Sequence, residues 1–155
     1  MIEVNYINDQ DKYPIPEEME PLLENLMMRV VEHEGLEKFC EVSVLFVDNE
    51  KIRVMNRDYR GKDTATDVLS FPQYEDVITE SEKEVHVLLG DIVISLEKAM
   101  EQAEEFGHSL TRELCYLTVH SMFHLFGYDH MNDDEKKVMR EREEKVLTDA
   151  GITRE

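Results

Sequence analysis

The chain has 155 residues, 41% hydrophobic and 34% charged, which suits one soluble domain with a core of its own and is short for two. Seventeen basic residues against 36 acidic ones give a formal net charge of −19, which predicts weak non-specific nucleic-acid binding. No apolar run approaches membrane-spanning length, the first residues lack the basic and apolar regions of a secretory signal, and Cys40 and Cys115 form no C-x-x-C pair, so a cytoplasmic protein with free buried thiols is expected.

In chain order, residues 2–7 alternate apolar and polar side chains and predict a strand with one buried face. Pro14 and Pro16 break the chain, and Pro16 suits the first turn of a helix. Met19, Leu22, Leu23, Leu26 and Val30 then recur at helical spacing. Residues 42–47 predict a second strand. Asp48 suits the cap of a short helix that carries Ile52 and Met55 and ends near Gly61. Residues 68–71 predict a third strand, stopped by Pro72. Residues 74–85 are acidic and polar and read as a mobile loop, with His86 a surface residue at its end. Residues 88–94 predict a fourth strand.

Ser95 suits the cap of a helix carrying Leu96, Ala99, Met100, Ala103 and Phe106, ended by Gly107. Ser109 suits the cap of the next. There Leu110, Leu114 and Leu117 form one apolar stripe, and Cys115, Val119, Met122 and Phe126 form another. A helix apolar nearly all round is a buried central helix. Asn132, with Glu135 three residues later, resembles a capping box for a last helix through Val138, Met139, Arg142, Val146 and Leu147. Four strands and about five helices in mixed order predict an α+β class: a single domain with helices packed on a small sheet, its strand order open.

Residues 118–130 read TVHSMFHLFGYDH and hold three of the six histidines as H-x3-H-x5-H. His120 and His124 are four apart in a helical run, so both imidazoles project from one helix face, one turn apart. Gly127 permits a left-handed exit from the helix, and that turn is expected to bring His130 back toward the same point. Three converging neutral imidazoles make a tripod for a transition metal, zinc above all. A fourth position is left for water or substrate, the mark of a catalytic rather than a structural site. A lone histidine on an apolar helix is ordinarily a core residue with its nitrogens satisfied. A cluster among Val119, Met122, Phe123, Leu125 and Phe126 would need burial without clear partners, which favours the metal.

The same spacing occurs in the metzincin peptidases, H-E-x-x-H-x-x-G-x-x-H, but Ser121 stands where they carry the glutamate general base. Shared ligand geometry without that carboxylate argues for another substrate. Two alternatives stay open: a zinc metallopeptidase that draws its base from elsewhere, and a ribosome-associated binding protein with a structural zinc. A fourth protein ligand would mark the latter, but Cys115 lies off the ligand face by about 140°.

On these residues the chain resembles the YbeY family, metal-dependent endoribonucleases of bacteria and organelles. Residues 108–114, HSLTREL, lead into HSMFHLFGYDH, which is similar to the family hallmark H-G-x-x-H-L-x-G-Y-D-H, with Ser121 where the family usually has glycine. Residues 56–63 (NRDYRGKD), 66–72 (TDVLSFP) and 89–95 (LGDIVIS) carry the resemblance further, in register from residue 42 onward. The first forty residues match in general layout only.

The resemblance implies a mixed sheet with the histidine helix at its centre, residues 1–155 forming one domain. It implies a zinc-dependent, single-strand-specific endoribonuclease with one Zn2+ per chain. It implies ribosomal RNA maturation, at the 3′ end of small-subunit RNA, and ribosome quality control. The partners would be ribosomal RNA and the ribosome or small-subunit proteins, without DNA or membrane.

Lys51, Arg53, Arg57, Arg60 and Lys62 crowd one short segment, apart from the dense acids, and read equally as a basic patch or as an ordinary solvated helix face. Arg60, in Y-R-G-x-D, matches the family's functional arginine. The resemblance therefore implies a guanidinium that stabilises charge growing on the phosphoryl group. The residues alone would favour an ion pair with Asp63 or Asp67. Asp129 beside His130, and Asp91 after Gly90, are candidates either to orient a ligand imidazole or to cap a turn. No general base stands out.

Overall fold

The computed structural model describes residues 1–129 and 131–152. The alternating segments become β1 (Ile2–Asn8), β2 (Phe39–Val47), β3 (Val68–Pro72) and β4 (His86–Ser95), side by side in the order β1-β2-β4-β3. β1 is parallel to β2 and β2 to β4, while β3 runs antiparallel to β4 along one edge. A parallel pair needs a long crossover, and α1 (Met19–His33) supplies it between β1 and β2. α2 (Asn49–Arg60) and α3 (Val77–Glu80) flank β3 in sequence. α4 (Leu96–Phe106), α5 (Leu110–Leu125) and α6 (Asp133–Asp149) follow the last strand. The mixed four-stranded α+β fold is the expected one, with six helices among the described residues.

The helix boundaries follow their caps. Asp48, Ser95, Ser109 and Asn132 each accept a hydrogen bond from the backbone N–H three residues on. Each such cap is worth about 1 kcal/mol. In the last one, Glu135 reaches back to the Met131 N–H at 3.0 Å, one residue beyond the position a capping box uses. The segment 74–85, expected as a mobile loop, instead holds α3. Asp76 caps it through the Thr79 N–H, and Val77 is buried. Four residues make barely one turn, too few for any periodicity to register in the sequence.

α5 is the central helix. It packs against α1, α4, α6 and the β3–β4 side of the sheet. Leu114, Cys115, Leu117, Val119, Met122, Phe123 and Leu125 are buried at 0–1% exposure, each large apolar side chain contributing about 1.5–3 kcal/mol. The opposite sheet face carries a smaller cluster, Val47, Leu69 and Val93, with Ile52 of α2. Cys40 and Cys115 are free and buried, and burial pushes the Cys115 thiol up to about 11, away from reactivity. No helix among the described residues is long and apolar enough to cross a membrane.

A bulge in β4 decides which residues face α5. The β2–β4 register slips where Glu41 opposes Leu88 but Val42 opposes Gly90, so Leu89 is the extra residue. Val87 and Leu89 point into the main core before the bulge, and Ile92 and Ile94 after it. Gly90 sits at φ +139, and a Cβ there would run into the Phe71 carbonyl, so only glycine fits.

Candidate active site

The C-terminal half of α5 presents His120 and His124 from one helix face, as i,i+4 spacing requires. Their Nε2 atoms are 3.2 Å apart, and the rings meet edge to face with centroids 4.7 Å apart. Each ring is held by its other nitrogen. His120 Nδ1 lies 2.5 Å from Glu143 Oε2, and His124 Nδ1 lies 2.9 Å from the Tyr128 carbonyl. A carboxylate and a carbonyl only accept, so both Nδ1 atoms carry a proton, and the Nε2 atoms are the ones turned into the cleft. The two Nε2 atoms face each other at 3.2 Å, close enough to share one cation. The spacing matches two nitrogens on one tetrahedral zinc, about 3.3 Å apart for Zn–N bonds near 2.0–2.1 Å. The donor set therefore fits the metal.

The turn after α5 makes this arrangement. Gly127 adopts φ +98, where a Cβ would stand 2.9 Å from the Glu75 carbonyl. The Gly127 N–H donates to the His124 carbonyl and the Tyr128 N–H to the Phe123 carbonyl, so the chain doubles back and sets the Tyr128 carbonyl against His124. The Tyr128 hydroxyl donates to Glu34 at 3.0 Å, Arg142 lies over its ring, and burial, aided by Glu34, raises its pKa. Tyr116 stacks on the His120 ring, and its own pKa is pushed up to about 12, first by burial and then by Glu143.

His130, the third expected ligand, lies outside the described residues. Among the described residues no group of three His, Cys, Asp or Glu side chains is placed to hold a metal ion. Arg60 and Asp129 line the same cleft as His120 and His124, a cavity of about 790 Å³ that follows the β3 edge. Its walls include Tyr59, Asp67, Ser70, Phe71, Tyr128 and Met131. Arg60 is exposed, and the ion pairs weighed for it are taken elsewhere. Asp63 pairs with Arg53, and Asp67 accepts from the Val68 N–H and from Gln102. The rest of the basic cluster is largely neutralised, Lys51 by Asp9, Arg53 also by Glu50, and Arg57 by Asp58.

Asp91 is placed away from the imidazoles. It is exposed and pairs with Phe71 on the sheet face that α2 covers, because the Gly90 bulge turns it out of the face toward α5. The orienting role considered for Asp91 and Asp129 falls instead, for His120 and His124, to Glu143 and the Tyr128 carbonyl. The sequence carried one signal for Glu143: it lies four residues after Met139 and three before Val146, on the buried stripe of α6. Ser121 is fully buried, and its hydroxyl is hydrogen-bonded to that of Ser70, so the hydroxymethyl group is accommodated where the helix crosses β3.

Known proteins resemble the chain over nearly its whole length. The family profile described as Endoribonuclease YbeY matches residues 5–151. The chain is 49% identical over 150 residues to the Endoribonuclease YbeY of Clostridioides difficile (strain 630), covering 94% of this chain and 95% of that one. It is 48% identical over 162 residues to that of Clostridium perfringens (strain ATCC 13124), with 96% of each covered. Among solved structures, the solution structure of TM1509 from Thermotoga maritima aligns with a TM-score of 0.57 at 28% identity, over 96% of this chain and 91% of that one.

Proposed function

The chain belongs to the YbeY family of endoribonucleases, and from that premise we propose that it hydrolyses phosphodiester bonds in single-stranded RNA with the help of one zinc ion. Its place is ribosomal RNA maturation, at the 3′ end of small-subunit RNA, and ribosome quality control, in the cytoplasm and in contact with the ribosome or small-subunit proteins. One observation carries the metal part of this reading: two Nε2 atoms 3.2 Å apart, each on a ring whose Nδ1 is committed to an acceptor.

His120 and His124 would hold the ion through Nε2, with His130 completing the tripod. When bound, zinc supplies a Lewis acid that acidifies water and polarises a phosphoryl oxygen. The chain's own residues do the rest. Glu143 and the Tyr128 carbonyl fix the tautomer and orientation of the two described imidazoles. Arg60, a cation in the same cleft, binds the phosphate oxygens and stabilises the charge that grows on them in the transition state. Asp129, also in the cleft, is suited to orient the third imidazole.

The alternatives are less well supported. A peptidase would want a carboxylate at Ser121, and that side chain is buried against Ser70. A structural zinc would want a fourth protein ligand, and Cys115 is buried in the main core. The test is to incubate nuclease-free, metal-loaded protein with single-stranded RNA and with casein. Internal cuts in the RNA, intact casein, loss of cutting on chelation and its return with zinc are expected. Absence of RNA cleavage under every metal condition would transfer the site to a binding role.

A further inference from the structure

We propose that Tyr59 is a stacking platform for an unpaired base of the RNA next to the bond that is cut, an assignment that rests on the endoribonuclease reading of the cleft. Tyr59 stands in the last turn of α2, immediately before Arg60, and is 71% exposed. Its ring meets Phe71 edge to face, with centroids 5.4 Å apart and planes at 72°. That contact fixes the ring direction, while the exposure leaves a face of the ring open. Tyr59 and Phe71 both line the cleft that holds Arg60, His120 and His124, and Met131, 80% exposed, lines it as well.

A large apolar side chain left in water at the mouth of a reactive cleft marks a contact surface. The substrate class says what it contacts. A phosphate held by Arg60 places the attached nucleotide within reach of the neighbouring residue, and every nucleobase offers a π-face. Charge says why such a contact is needed. The chain carries −19, and Lys51, Arg53 and Arg57 of α2 are engaged with Asp9, Glu50, Asp63 and Asp58, so phosphate attraction is weak here. Stacking does not depend on net charge. It also discriminates: in a duplex the base faces are covered by their neighbours, so a ring platform admits only unpaired nucleotides.

The test uses steady-state cleavage of a short single-stranded RNA by the zinc-loaded full-length protein. Two unlabelled competitor strands of equal length are compared, an intact oligoadenylate and a fully abasic one. In the wild type the intact strand should compete about tenfold better than the abasic one. Tyr59→Ala should raise KM about tenfold and erase the gap between competitors, with an unchanged melting temperature. Tyr59→Trp should preserve the gap, and Tyr59→Leu, apolar but without a π-face, should behave like the alanine variant. A gap that persists in Tyr59→Ala overturns the platform, as does a gap lost equally in Tyr59→Trp or a loss that tracks a lowered melting temperature. A wild-type protein that cleaves no RNA at all overturns the nuclease reading itself, and is recognised before any variant is compared.

Discussion

Near the two ends of α5 a histidine meets a buried glutamate: His108 meets Glu113 at 2.7 Å, and His120 meets Glu143 at 2.5 Å. Both imidazoles are 18% exposed, and the carboxylates are 4% and 5% exposed. What separates the pairs is the ring nitrogen engaged. Glu113 takes His108 at Nε2, whereas Glu143 takes His120 at Nδ1 and leaves Nε2 facing His124. The first pair belongs to a structural network, since the Gln102 amide, which bonds Asp67, can turn its N–H to Glu113 as well. The second has the arrangement of a metal-ligating histidine with a carboxylate behind it, the role proposed for it above. Residue type and burial are the same in both, so the role is set by direction.

The comparison breaks most visibly on removing the rings. His120→Ala and His124→Ala should abolish RNA cleavage, whereas His108→Ala should keep it; equal losses in all three would mean that α5 is merely being destabilised. Next in size is Arg60→Ala, which should lower kcat about a hundredfold with little change in zinc content. Its melting temperature should hold, because among the described residues no ion pair involves Arg60. Arg60→Lys should restore only part, an ammonium lacking the two-pronged grip of a guanidinium. A melting temperature that falls with the activity would make Arg60 a structural residue.

Smaller effects sharpen the contrast between the two carboxylates. Glu143→Gln should weaken zinc binding about 10- to 100-fold, whereas Glu113→Gln should leave it unchanged, as a chelator competition would read. Glu113 should act on stability instead. Burial raises its carboxyl pKa, His108 and Arg112 only partly opposing it and Asp67 adding to it. The native state then holds that proton more tightly than the unfolded chain. The contribution to stability is therefore fullest below the ordinary glutamate range and is lost as pH rises through the raised native value. Glu113→Gln removes that decline, so the melting temperature of the variant should gain on the wild type as pH rises across the window. Parallel curves would show that Glu113 does not titrate there.

Much of the fold was legible because it is local. Asp48, Ser95, Ser109 and Asn132 are side chains whose partners lie three residues away, and the positive φ at Gly127 is likewise a property of the local turn. The i,i+4 histidines were legible for the same reason. The insertion of β4 between β2 and β3 was not, since strand order is fixed by long-range packing. The face of Asp91 was not legible either, because strict alternation would put it with Val87 and Leu89, and the extra residue at Leu89 reverses that. Glu143 was missed because its partner lies 23 residues earlier and its neighbours are charged, although its place among Met139 and Val146 marked it as buried.

In the function proposed above, the Nε2 atoms of His120 and His124 are metal ligands and His108 is not. Zinc titration of the purified chain against a chromophoric chelator, with His124→Ala and His108→Ala in parallel, tests it most directly. About one tightly held zinc is expected in the wild type and in His108→Ala, and none in His124→Ala, since two remaining imidazoles hold zinc poorly. Full zinc occupancy in His124→Ala would contradict it.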